Sequence, residues 1–229
     1  MKKSIHYSDI ITRHYTQTIE LDVPEGWKPP NYASEEAPTT APKGKVNFLD
    51  ATGNWQLIDD PNYVTVYSTT TGKEILVPKT EVPADVTPEK KPSTKHIYFE
   101  GKWLLDSEIR EILYQRKYDE INTKVSEKVV GGYESNVTGQ TLVYDSAMHD
   151  QQNIKTMADL GIDRKLRVKK DGVKTSVPHA NEQLKKLVED FAQYVIEKID
   201  QGIIKKDTLT SSYLTMPLED LKNFDTDIL

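Results

Sequence analysis

The chain has 229 residues, 36 % hydrophobic and 29 % charged, with a formal net charge of −6 and no cysteine. That length supports one or two domains with buried cores, and the composition is polar for a globular protein yet too rich in aromatic and β-branched residues for a disordered one. The acidic balance argues against nucleic-acid backbones and anionic membranes as partners, and the missing thiol excludes disulfides, thiolate metal sites and a cysteine nucleophile.

In chain order, Met1-Lys2-Lys3 is basic but no apolar run follows it, so a signal peptide is not expected. No later stretch approaches the ~18 apolar residues of a membrane span. The expected location is the cytoplasm. Gln17, Ile19, Leu21 and Val23 alternate with Thr16, Thr18, Glu20 and Asp22, which suits a half-exposed strand. Pro24 to Pro42 is too rich in Pro, Ser, Thr and Glu for regular structure and predicts an extended surface arm. Short strand candidates follow at 45–49, 55–58, 63–68, 73–77, 95–99 and 102–105, separated by turns that offer Gly, Asn or Asp. They predict one small antiparallel sheet, with the proline-punctuated stretch 78–92 as a second irregular crossing.

Prolines and tryptophans then thin out, and helical periodicity takes over after Trp103. This shift predicts a β module over 1–105, a helix-hairpin-helix-hairpin-helix module over 106–207, and a tail over 208–229 that mixes acidic with apolar residues. The fold class is α+β. In the first helix Tyr114, Tyr118, Ile121 and Val125 step by four, three and four, a heptad-like seam. Its cover is either the last helix of the same module or a second copy, which makes these residues the candidates for self-association. Gly131-Gly132 ends that helix. A hairpin around Asn136–Gly139, an Asp145-capped helix over 146–160 and a hairpin about Lys170-Asp171-Gly172 follow. The last helix starts between Ser176 and Asn181, carries a seam of Leu184, Leu187, Val188, Phe191, Val195 and Ile199, and fades near Gly202.

Catalytic patterns are lacking. His6, His14, His96, His149 and His179 are scattered with no i, i+4 pair for a metal. Asp59-Asp60-Pro61-Asn62 reads as a turn rather than a carboxylate pair. There is no Gly-rich phosphate loop and no Gly-x-Ser-x-Gly elbow. No catalytic, metal or cofactor-binding residue is nominated, and an enzyme is not expected. The rings are the remaining signal. Trp27, Trp55, Tyr67 and Trp103 are the candidate partner-binding residues, because a thin sheet cannot bury all its rings; the competing reading makes them core.

One ordered set of motifs resembles a known family. Ala41-Pro42-Lys43-Gly44 comes first, then Gly53-Asn54-Trp55-Gln56-Leu57-Ile58-Asp59-Asp60 and Val66-Tyr67-Ser68-Thr69-Thr70-Thr71-Gly72-Lys73-Glu74. Val82-Pro83, Val86-Thr87-Pro88 and Phe99-Glu100-Gly101-Lys102-Trp103 complete it. Residues 1–105 thereby resemble the caudovirus (bacteriophage) tail fibre assembly family, with Asp59-Asp60-Pro61-Asn62 where that family often has an Asp-His-Arg-Gly-like stretch. Residues 107–205 are similar to a small domain of unknown function that recurs in phage tail proteins, through Gly131–Tyr144, Asp145–Leu160 and the closing helix. The resemblance implies a partner: a trimeric tail fibre whose assembly the protein assists, or to which it stays bound in the virion. A tail or baseplate connector without a chaperone role, and a carbohydrate-binding adhesin tip, are the alternatives. No cofactor, nucleic acid or membrane is implied; a homo-oligomer follows only from the second-copy reading of the Tyr114–Val125 seam.

Overall fold

The computed structural model describes residues Met1–Leu229 and is a mixed α+β chain of several small antiparallel sheets and four helices. Its residues fall into two units, Met1–Leu104 and Leu105–Leu229.

In the first unit, β1 (Lys2–Ser8) pairs antiparallel with β2 (Tyr15–Asp22), and Ile5, opposite Ile19, is its fully buried anchor. Asp9 builds the connecting turn. One of its carboxylate oxygens accepts from the Ile11 and Thr12 N–H groups at 2.9 and 2.7 Å, supplying the partner that the turning backbone lacks. The Pro24–Pro42 segment is irregular over most of its length, yet it is tied down at several points. Ala33–Ser34 forms β3 on the other edge of β1. Arg13 donates to the Asn31 carbonyl at 2.9 Å, and the Asn47 amide and Trp55 indole donate to the carbonyls of Thr39 and Glu36. Backbone acceptors that a proline-rich stretch cannot pair internally are satisfied from neighbouring strands.

The strands expected to share one sheet are divided among separate ones. β4 (Lys45–Leu49) pairs with β5 (Trp55–Asp59), and β6 (Tyr63–Ser68) with β7 (Glu74–Pro78) and β8 (Val86–Thr87). β9 (His96–Phe99) and β10 (Lys102–Leu105) form another pair. The break between β5 and β6 has a local cause. The Asp60 N–H is taken by the Gly44 carbonyl at 2.9 Å, and Asp60 Oδ1 accepts from the Asn62 N–H at 2.9 Å, so the chain turns away through Pro61. Gly44 sits at φ +77°, and a Cβ there would lie 2.0 Å from Leu76 Cδ2. Backbone conformation and the approach of β7 both demand glycine at this point.

In the second unit α1 (Asp106–Val130) opens with Glu108 Oε2 accepting from the Leu105 N–H at 2.6 Å. This is one half of a capping box; leucine has no oxygen with which to return the other half. β11 (Tyr133–Ser135), β12 (Leu142–Tyr144), β13 (Arg164–Lys170) and β14 (Val173–His179) form a sheet in sequence order. α2 (Met148–Asp159) lies between β12 and β13 in the chain, and α3 (Asn181–Ser212) follows β14. α2 begins two residues later than expected, with Ala147 and not Asp145 at its cap; the Asp145 carboxylate instead pairs with Lys174 at 3.2 Å. Leu142, Tyr144, Leu166 and Val168 from the sheet pack with Ala158 of α2 and Leu184 and Leu187 of α3. Full burial of one such Leu or Val side chain stabilises by about 1.5–3 kcal/mol.

α3 does not fade at Gly202. A Cβ at Gly202 would lie 2.5 Å from Val125 Cγ2, so this glycine lets α1 pack directly on α3 and is not a stop. The antiparallel pairing continues on both sides. The Lys206 ammonium sits 5.0 Å from the Tyr118 ring centre, the Tyr114 and Tyr213 rings are 4.4 Å apart, and the Tyr194 hydroxyl donates to the Lys128 carbonyl at 3.1 Å. The seam of Tyr114, Tyr118, Ile121 and Val125 is therefore packed from within the chain, with Ile121 fully buried and the other three half-buried. Its cover lies at 202–213, beyond the Leu184–Ile199 stretch expected to supply it.

The last residues are no detached tail either. α3 runs into the 208–229 region, and α4 (Leu218–Lys222) with the following residues folds back. Leu209, Leu221 and Ile228 are buried. The Thr226 hydroxyl donates to Glu120 Oε1 at 2.7 Å, Lys205 meets Asp225 at 2.6 Å, and Lys124 meets Asp227. Asp225 and Asp227, two of the acidic residues of this region, are counter-ions for lysines of α3 and α1.

Candidate functional site

The four nominated rings do not share a sheet. Trp103, on β10, is 8 % exposed; its indole donates to the Glu89 carbonyl at 2.9 Å, and its ring packs edge-on against Tyr98 at 5.1 Å. It is a core ring and leaves the partner-binding set. Tyr67 is half-buried on β6, the centre strand, opposite Glu74 of β7 and Thr87 of β8. Trp27 is half-buried in the irregular stretch after β2.

Trp55 is placed differently. β5 pairs with β4 alone, so its outer edge carries free backbone donors and acceptors. The Trp55 ring is fixed by its indole bond to Glu36, 2.8 Å, and by an edge-on contact with Tyr15 at 5.7 Å. Leu57, two residues on and therefore on the same face, is 44 % exposed. Their cross-strand partners Leu49 and Asn47 are buried. One sheet face thus grades from core at β4 to an apolar, open edge at β5.

The second unit holds an apolar groove of about 610 Å³ that no sequence pattern had singled out. Tyr133 forms part of its lining, held by ring contacts with Phe191 at 5.1 Å and Tyr194 at 5.2 Å. Ile154, Gln151 and Met148 of α2 line it, as do Val188, Phe191, Ala192, Val195 and Ile196 of α3. Its polar groups are used locally. Buried Ser146 accepts from the Gly132 N–H at 2.9 Å, and the Gln151 amide donates to the Ser146 carbonyl at 2.7 Å. Met148 is 80 % and Ile196 51 % exposed at the rim. Asp145 and Lys155 also line it, paired with Lys174 and Asp159 at 3.2 and 2.7 Å, and the rest of the lining suits apolar side chains.

Tyr144 also lines the groove; its hydroxyl and His179 Nε2 are 2.7 Å apart, and His179 Nδ1 is 2.9 Å from the Val177 carbonyl. Burial pushes the Tyr144 hydroxyl up to about 12 and holds His179 below its ordinary value. Both stay neutral near pH 7, each serving the other. His149 lies 3.2 Å from Asp150 Oδ1, with its side chain 76 % exposed.

A signal for the groove was present in α3. Ala192, Ile196, Ile199 and Ile203 step by four, three and four on a helix whose other apolar stripe already serves the core. Ile199, assigned to that core stripe, is 44 % exposed and belongs to the second one. No family model, curated protein or solved structure matches the chain.

Proposed function

We propose that this is a non-enzymatic tail fibre-associated protein of a bacteriophage, which binds a trimeric tail fibre through the open edge of β5. It either assists fibre assembly in the host cytoplasm or stays on the fibre in the virion. In this reading the Pro24–Pro42 and Pro78–Pro92 segments act as extended arms that add contact area, and residues 106–207 act as a separate helix-hairpin-helix-hairpin-helix module.

The observation that carries the proposal is the pairing of β5 with β4 alone, with Leu57 exposed and Trp55 half-buried on one face of that edge strand. A growing β-rich trimer exposes strand edges that aggregate unless covered. An unpaired edge strand takes up an added strand through main-chain hydrogen bonds, while Trp and Leu supply side-chain pockets. The order of motifs from Pro42-Lys43-Gly44 to Gly101-Lys102-Trp103 supplies the partner. No helix is long and apolar enough to cross a membrane.

Co-expression with a tail fibre protein of the same virus tests this. Leu57→Lys and Trp55→Ala, each verified as folded by circular dichroism, are expected to lose fibre co-purification by about thirtyfold or more, in line with truncation of an interface anchor. Tyr67→Ala retains it, since β6 has no free edge. Undiminished co-purification by both β5 variants overturns the proposal.

A further inference from the structure

α3 carries two apolar stripes. One, with Leu184, Leu187, Gly202 and Leu209, is buried against the sheet and α1. The other, Ala192, Ile196, Ile199 and Ile203, runs along the side of the helix next to the α1-facing stripe and is exposed; the three isoleucines are 51, 44 and 47 % accessible. It runs from the groove at Val188 and Phe191 out along the helix for about three turns, roughly 17 Å at ~1.5 Å per residue. A run of isoleucines at heptad spacing is the surface that a second helix covers.

Charge decides which helix. Glu189, Asp200 and Asp207 are exposed at intervals of eleven and seven residues, so they fall on one flank of the stripe. The lysines nearby are engaged locally: Lys155 at the groove with Asp159, Lys186 with Asp190, Lys198 with Glu197, Lys205 with Asp225, and Lys206 over the Tyr118 ring. A second copy docking α3 against α3 antiparallel would set Asp200 beside Asp200 and so repel. An anionic bilayer is repelled for the same reason.

We infer that the Ile196–Ile199–Ile203 face and its adjoining groove are a docking site for an amphipathic partner helix whose apolar stripe is flanked by Lys or Arg. This surface is independent of the β5 edge.

The test uses the full chain and two designed peptides of ~18 residues, long enough for five helical turns. Both carry Leu at the stripe positions; one is flanked by Lys, its twin by Glu. Fluorescence anisotropy is expected to show the Lys peptide binding at least about tenfold more tightly, with the difference shrinking as salt screens it. Ile199→Asp should cut binding of the Lys peptide by about tenfold or more. The double variant Asp200→Lys, Asp207→Lys should reverse the preference between peptides. That reversal separates a docked helix from general attraction to an acidic protein. Equal binding of the two peptides, or an unchanged preference in the double variant, overturns the inference. So does a wild-type dimer in light scattering that Ile199→Asp splits, because the occupant is then a second copy.

Discussion

His179 Nδ1 faces a carbonyl that only accepts, so it must carry the imidazole proton, and Nε2 is left to accept from the Tyr144 hydroxyl at 2.7 Å. The geometry alone fixes the tautomer. Both residues are buried, Tyr144 at 2 % and His179 at 1 % exposure, so neither has water as an alternative partner.

This pair predicts a pH plateau for the second unit. Burial holds His179 below 6.5, so as pH falls past 6.5 the unfolded imidazole takes up its proton first and stability is lost. Tyr144 is pushed up to about 12 from 10, so stability is lost again as pH rises past 10, where the unfolded phenol ionises first. Tyr144→Phe should lower stability by about 1–3 kcal/mol by leaving Nε2 unpaired. It should also flatten the alkaline limb of a urea-midpoint profile while sparing the acid limb. An alkaline limb as steep as that of the wild type would show that Tyr144 does not control it.

The contact of Gly202 with Val125 predicts compensation. Gly202→Val drives a branched side chain into Val125 where α1 packs on α3 and should cost about 1–3 kcal/mol, as overpacking does. Val125→Ala opens space at the same point, so the double variant should be more stable than the sum of the two losses predicts. Strictly additive losses in thermal unfolding would mean that the helices separate easily there. Ile121→Asp, at a position with no exposure, should unfold the second unit at any protein concentration without a preceding change in oligomer mass.

What the sequence revealed was local. Turns at Asp50–Gly53, Asn136–Gly139 and Lys170–Gly172 are written in residues that tolerate unusual backbone angles, and the 4-3-4 spacing of α1 marks its buried seam. The grouping of strands was not legible, because it depends on Asp60 reaching Gly44, sixteen residues back. The exposed α3 stripe was hidden by merging two stripes into one, which only the position of α1 against Gly202 resolves. Trp103 could not be told from Trp55 either; one indole finds its carbonyl beneath a ring contact, and the other finds it beside an open edge.

The C-terminal residues provide a prediction in which magnitude separates two contacts. Ile228 is 3 % exposed, whereas the Lys124–Asp227 ion pair beside it has side chains 31 and 71 % exposed. Truncating a buried isoleucine to alanine costs about 2–5 kcal/mol, while a solvated ion pair is largely cancelled by hydration and side-chain entropy. Ile228→Ala should therefore lower the urea midpoint clearly, and Lys124→Met should leave it almost unchanged. Acid acts on the same segment. The Thr226 hydroxyl, foremost, and Lys117 and Lys124 hold Glu120 below its usual range, and Lys205 does the same for Asp225. Their contribution is complete above the ordinary carboxylate values and lost as pH falls through the depressed ones. Hydrogen-exchange protection factors along α1 near Glu120, corrected for the intrinsic rate at each pH, should fall on acidification, and Thr226→Val should weaken that dependence. If Lys124→Met proves the more damaging substitution, charge rather than apolar burial holds the C-terminal residues in place.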